Sequence, residues 1–284
     1  MDSRKFHPAA TAAAGFAAKQ RTISRRWKAT FAAVAVATLS LGFTLDTALA
    51  DSTGTVIPLP AADQQAIEKL LGKGVVGAAQ PAVPLGSPES YLPPKGSSMS
   101  YQVIEKDKKV TEAHKVDDTA DASLAPGWQY SVEKAGASFF QKASDGSLHT
   151  IAEQDLGNKV LSRFSPGEPM IIPGLKPGES RKSTMQVAVY DLSDLKKVTH
   201  SGSLDVTYTY VGAYRVTVPA GTYDAVLIRW DYEGKIGPAS IKDSQHRFIA
   251  PGAGMVAMAQ IRSISAMLVY NDHTKRGKIL ERAP

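Results

Sequence analysis

From Met99 to the C-terminus the chain alternates apolar and polar residues with a period of two, punctuated by Gly, Pro and Asp-Gly. Successive side chains of a strand point to opposite faces, so this pattern predicts an antiparallel sheet. The clearest stretch runs from Leu204 to Tyr232. Val206, Tyr208, Tyr210, Tyr214, Val216 and Val218 fall on one side, and Thr207, Thr209, Arg215 and Thr217 on the other. One buried and one wetter face are expected. Pro219-Ala220-Gly221 fits a three-residue hairpin loop. With Val218 opposite Thr222, Tyr210 would face Trp230 and Tyr208 would face Tyr232, in one aromatic stripe with Val226 and Ile228. Gly212 interrupts the stripe and marks a bulge or bend.

Two further segments are legible. Ser138 to Ile151 reads as a hairpin turning at Asp145-Gly146, with both turn residues at positive φ. Ser165 to Ser180 holds four prolines and three glycines and is expected to be an irregular crossover. Between Asp51 and Ser98 the chain is rich in Pro, Gly and Ala, interrupted by Asp63 to Leu71, where Ile67, Leu70 and Leu71 share a helical face. Asp63 suits the N-cap of that short helix and Gly72 its end. So short a helix is unstable alone and must dock. The expected fold is mainly β: a curved antiparallel sheet or open half-barrel over 99–284, preceded by a linker with one short helix over 51–98.

The first 50 residues have a different character. Ala29 to Leu45 is uncharged, follows Arg21, Arg25, Arg26 and Lys28, and leads to Ala48-Leu49-Ala50, the layout of a signal peptide cut before Asp51. An uncleaved anchor is the alternative, but the stretch is short for a span. Ser24-Arg25-Arg26-Trp27 resembles the start of a twin-arginine export signal. Cleavage removes seven basic and two acidic residues, which lowers the net charge from +6 to +1. The basic pI of about 9.3 therefore belongs to the leader and argues for no nucleic-acid partner. A periplasmic or secreted location, with no membrane span after cleavage, is expected. The absence of Cys excludes disulfides, thiolate metal sites, a cysteine nucleophile and a lipid-modified N-terminal Cys.

Candidate chemistry is sparse. Gly72-Lys73-Gly74-Val75-Val76-Gly77 matches the dinucleotide fingerprint in letters, yet a helix leads in and prolines follow, so it reads as linker. Ser131 to Lys134 and Ser193 to Lys196 match the Ser-x-x-Lys nucleophile motif without its partner motifs. Asp243, Ser244 and His246 are close in sequence, but a strand turns Asp243 away from the other two. His246 is thus a solvent-facing strand residue, or a base that needs partners from elsewhere. His114, His149, His200 and His273 show no metal-ligand spacing, and no metal or cofactor is expected. Glu105 to Asp118 reads as an exposed hairpin or edge strand, and Lys275, Arg276, Lys278 and Arg282 as a solvated last strand. The aromatic residues Tyr208, Tyr210, Tyr214, Trp230 and Tyr232 are either core or the lining of an apolar ligand groove.

The chain also resembles a family of uncharacterised exported bacterial proteins. The resemblance lies in Val216-Thr217-Val218-Pro219-Ala220-Gly221-Thr222-Tyr223-Asp224-Ala225, in Ala250-Pro251-Gly252-Ala253-Gly254, and in Pro173-Gly174-Leu175-Lys176-Pro177-Gly178-Glu179. It implies a curved antiparallel sheet similar to open periplasmic carrier barrels, and no catalytic residues. The expected function is an exported, non-catalytic binding or envelope-associated module. A hydrophobic small molecule, a lipid or other envelope components are the expected partners. The alternatives are a periplasmic hydrolase using His246 and a purely structural surface protein.

Overall fold

The computed structural model describes residues 54–105, 108–266 and 270–283, so the leader and its cut site lie outside the described residues. The period-two runs form twelve consecutive strands: β3 (Ser98–Glu105), β4 (Lys108–Asp118), β5 (Trp128–Val132), β6 (Gly136–Lys142), β7 (Leu148–Asp155), β8 (Val160–Ile171), β9 (Ser180–Asp191), β10 (Asp194–Val218), β11 (Gly221–Ile236), β12 (Ala239–Ala250), β13 (Gly254–Ala266) and β14 (Tyr270–Arg282). Each pairs antiparallel with the next, and β14 returns to β3. The seam runs from Arg276 opposite Glu105 to Leu280 opposite Tyr101. The result is a closed up-and-down barrel, which corrects the expected open half-barrel. Closure satisfies the polar backbone edges that an open sheet would leave unpaired.

The segment expected as linker belongs to this fold. It contributes β1 (Thr55–Val56), the helix α1 (Ala61–Leu71) and β2 (Val76–Ala82). β2 pairs with the C-terminal half of β10, so Val76-Gly77 is strand rather than flexible chain. α1 lies against β13 and β14 on the outside of the barrel. Its backbone comes so close that a Cβ at Gly277 would sit 2.3 Å from the Leu70 carbonyl oxygen. The helix starts after Pro60, not at Asp63, and Gly72 ends it at φ +97°. From Val83 to Pro94 the chain crosses one barrel end. It is held by Leu85 N–H to the Leu175 carbonyl and Gly252 N–H to the Ser90 carbonyl, and it buries Leu85, Tyr91 and Leu92.

The turns differ in detail from expectation. At the β6–β7 turn only Gly146 has positive φ, and the loop spans Ala143 to Ser147. β8 continues through Pro166 and Pro169, leaving 172–179 as the irregular part of the expected crossover. Glu105 to Asp118 does form a hairpin with its neighbour, but inside the closed wall, with His114 and Val116 buried. β14 is likewise not a solvated strand, because Lys278 is buried.

One register carries most of the consequences. Val218 pairs with Gly221, so the β10–β11 turn has two residues between partners rather than three. A bulge between Tyr210 and Gly212, where Gly212 was expected to bend the strand, then shifts the ladder again. Tyr208 pairs with Trp230, Val206 with Tyr232 and Tyr210 with Ile228. These residues share the inner face. Past the bulge Tyr214 pairs with Ala225, an odd-numbered β11 position, and so it points outward. The expected single stripe is therefore split between the two sides of the wall.

Candidate functional site

The inner face is built around Arg247 on β12, which is 0% exposed. Its guanidinium donates to Gln245 Oε1 at 2.6 Å and to Glu168 Oε1 at 3.4 Å, and stacks 4.3 Å from the Trp230 ring. Tyr232 donates its hydroxyl to Glu168. The Tyr208 ring meets Trp230 edge to face, with centroids 5.2 Å apart. Tyr208 also donates to the Met170 carbonyl, Tyr210 to the Val83 carbonyl, and Trp230 Nε1–H to the Pro169 carbonyl. Each of these polar atoms is thus used by the protein itself, the arrangement expected of buried aromatic residues.

Carboxylates share this interior. Asp243 Oδ2 accepts from Gln245 and Gln260 at 2.9 and 2.8 Å. Burial pushes its carboxyl up to about 6 against the pull of Arg262. Glu153 is also raised well above its ordinary value, by burial and by the nearby Glu168. A cavity of about 20 Å³ lies among Glu153, Glu168, Tyr232, Asp243 and Gln245. That is room for about one water, against several hundred Å³ for a typical ligand pocket. Further round the wall, Lys278 Nζ lies 2.5 Å from Glu112 and 3.5 Å from His114 Nε2. Burial, then the Lys278 charge, lowers the His114 pKa to about 4. Among the described residues no set of three His, Cys, Asp or Glu side chains could hold a metal ion.

His246 lies on the outer face, as its spacing from Ser244 implies, but it is buried rather than solvent-facing, because α1 covers it. Asp63 of α1 meets it at 3.1 Å and accepts from Arg229 Nη1 at 3.2 Å. Arg229 and His246 are direct partners across β11 and β12. The His246 contact is short but out of line for a well-formed hydrogen bond. Burial raises the Asp63 carboxyl, and His246 and Arg229 outweigh this to keep it below its ordinary value. Ser244 donates to Asp231, not to His246. Tyr214 stands nearby on this outer side, edge to face with Phe248 at 6.3 Å, and its buried hydroxyl has no partner. Sequence spacing could not reveal Asp63, because its approach depends on where α1 docks.

Below that cluster is a groove of about 520 Å³. Its floor is two rows of outward side chains across four strands. Asp205, Glu233, Lys242 and Ser263 form one row, and Thr207, Asp231, Ser244 and Ile261 the other. Lys242 pairs with Glu233 at 3.4 Å, Arg229 with Asp231 at 2.9 Å, and Thr184 donates to Asp205 at 2.6 Å. Apart from Ser244, weighed only beside His246, and Thr207, placed on the wetter face, these residues drew no attention in the sequence, because polar positions on alternate sites of a strand look like ordinary solvated surface.

No family model and no curated protein matches the chain. Two solved structures show partial likeness. One, described as a "putative exported protein with YmcC-like fold" from Bacteroides fragilis, is 15% identical with a TM-score of 0.42, covering 72% of this chain and 99% of that one. The other, a "putative lipoprotein" from Parabacteroides distasonis, is 12% identical with a TM-score of 0.34, covering 72% of this chain and 100% of that one.

Proposed function

We propose that the chain is an exported, non-catalytic module of the periplasm or cell exterior, whose barrel interior is structural and whose outer wall meets envelope components. The observation that carries this reading is the division of labour across the wall. Inward rings spend their polar atoms on the protein's own carbonyls, while a concavity of ligand size among the described residues faces outward. Charged residues on that outer wall also differ from the apolar band that a membrane-spanning barrel turns to lipid. No helix among the described residues is long and apolar enough to cross a membrane. An apolar ligand against Tyr208, Tyr210, Trp230 and Tyr232 would have to displace Arg247 or open the wall, which counts against the carrier reading.

Native mass spectrometry of protein recovered from the periplasm or medium tests the proposal. The expected species starts at Asp51 and retains no lipid. A retained lipid that is lost on Trp230→Ala would overturn it. The hydrolase reading gains Asp63 beside His246, yet the pair is roofed by α1 and lacks a hydroxyl nucleophile bonded to the imidazole. Unchanged activity of His246→Ala on ester and peptidoglycan substrates would remove that reading.

A further inference from the structure

We propose that the outer groove across β10 to β13 is a binding site for a short, hydroxyl-rich oligosaccharide. The inference deepens the envelope-module reading and rests on it. Four adjacent strands about 4.8 Å apart give a floor about 14 Å across, long enough for a chain of several linked rings. The volume, about 520 Å³, lies in the range of small-molecule sites.

The lining argues for the ligand class. Thr207 can donate and accept, as sugar hydroxyls do, while Ser244, which donates to Asp231, and Ser263, which is bonded to His273, can still accept. Asp205, Asp231 and Glu233 offer carboxylate oxygens that accept from hydroxyl pairs, and Lys242 adds a donor at the rim. Ile261, 38% exposed at one end of the floor, supplies the apolar spot that the C–H face of a sugar ring covers. Lys242 answers Glu233 within the grid and Arg229 answers Asp231 from beside it, which leaves Asp205 held by the Thr184 hydroxyl rather than by a cation. That favours a neutral polyhydroxyl ligand over a polycation. A lipid acyl chain would strip water from these ionised groups and return no hydrogen bonds.

The test is isothermal titration of the full mature chain with three probes: triacetylchitotriose or cellotriose, spermine, and a neutral detergent micelle. Binding of a trisaccharide, weakened tenfold or more by Asp205→Ala and by Ile261→Glu and unaffected by Leu195→Ser outside the groove, is the expected result. Near-ultraviolet circular dichroism confirms that each variant is folded; should Ile261→Glu not fold, Asp205→Ala carries the reading. Spermine binding alone, abolished by salt, would overturn the ligand class. Detergent binding insensitive to these substitutions, or no binding of any probe, would overturn the site. Cell fractionation, scored separately, shows whether the exported-module reading survives that failure.

Discussion

The Asp63 carboxylate on the only α-helix among the described residues lies 3.1 Å from His246 Nε2 on the barrel wall, with Arg229 completing the contact. A helix of eleven residues does not hold by itself. Its position is fixed by Ile67 and Leu71, which are buried, and by this one charged anchor. Removing one partner of a largely buried pair leaves the others uncompensated.

Asp63→Ala is therefore expected to destabilise the fold by about 2 kcal/mol, allowing for the partial exposure of Arg229. Denaturant unfolding measures the loss, and hydrogen exchange should localise faster opening to 61–71. The pH sign follows from the lowered Asp63 carboxyl. Its stabilisation is full above the ordinary carboxylate value and is lost as pH falls below it.

Gly277→Ala should undock the same helix by sterics alone. The new methyl would sit 2.3 Å from the Leu70 carbonyl oxygen, a backbone atom that cannot swing aside. A cost of about 2 kcal/mol or more is expected, with exchange again accelerated over 61–71. Gly252 makes a poor control, since its positive φ adds strain of its own. Gly157→Ala is the better one, because its new methyl meets only a side-chain oxygen at 3.3 Å.

Asp243 and His114 pull stability in opposite directions over overlapping pH ranges. Asp243 is raised from 3.8 to about 6 by burial, so the folded state holds its proton longer, and stability falls as pH rises through that window. His114 is lowered from 6.5 to about 4 by burial and the Lys278 charge, so stability rises with pH from about 4 to 6.5. Asp243→Asn should flatten the first trend, with a gain of roughly 2 kcal/mol at pH 8 relative to pH 4. His114→Gln should flatten the second. Urea unfolding of each variant between pH 4 and pH 8 separates the two, and identical profiles would contradict the buried placement of both groups.

The sequence conveyed the strands well, because period two survives any closure of the sheet. It also located the bulge at Gly212, where a residue without a side chain breaks an aromatic run. What it could not convey was the effect of that bulge. One extra residue turned Tyr214 outward while leaving Tyr208 and Tyr210 inside, and alternation read along one strand carries no count of its partner. Lys278 and Glu112 looked like solvated charge because each strand shows only its own residues. Their burial becomes visible once β14 closes onto β3 and β3 sets β4 beside it. The grid of the groove was hidden for the same reason, as its eight members come from four strands.

Closure of the wall is the claim on which the interior, the groove and the helix anchor all depend, and the β14–β3 seam is where it is most exposed to test. The chain has no cysteine, so Gln102→Cys with Ile279→Cys, direct partners across that seam, introduces the only two thiols. Mild oxidation of the folded double variant, read by free-thiol titration and intact mass, should yield a near-quantitative intramolecular disulfide. Two thiols that stay free while the protein remains folded would mean that the first and last strands of the barrel do not meet.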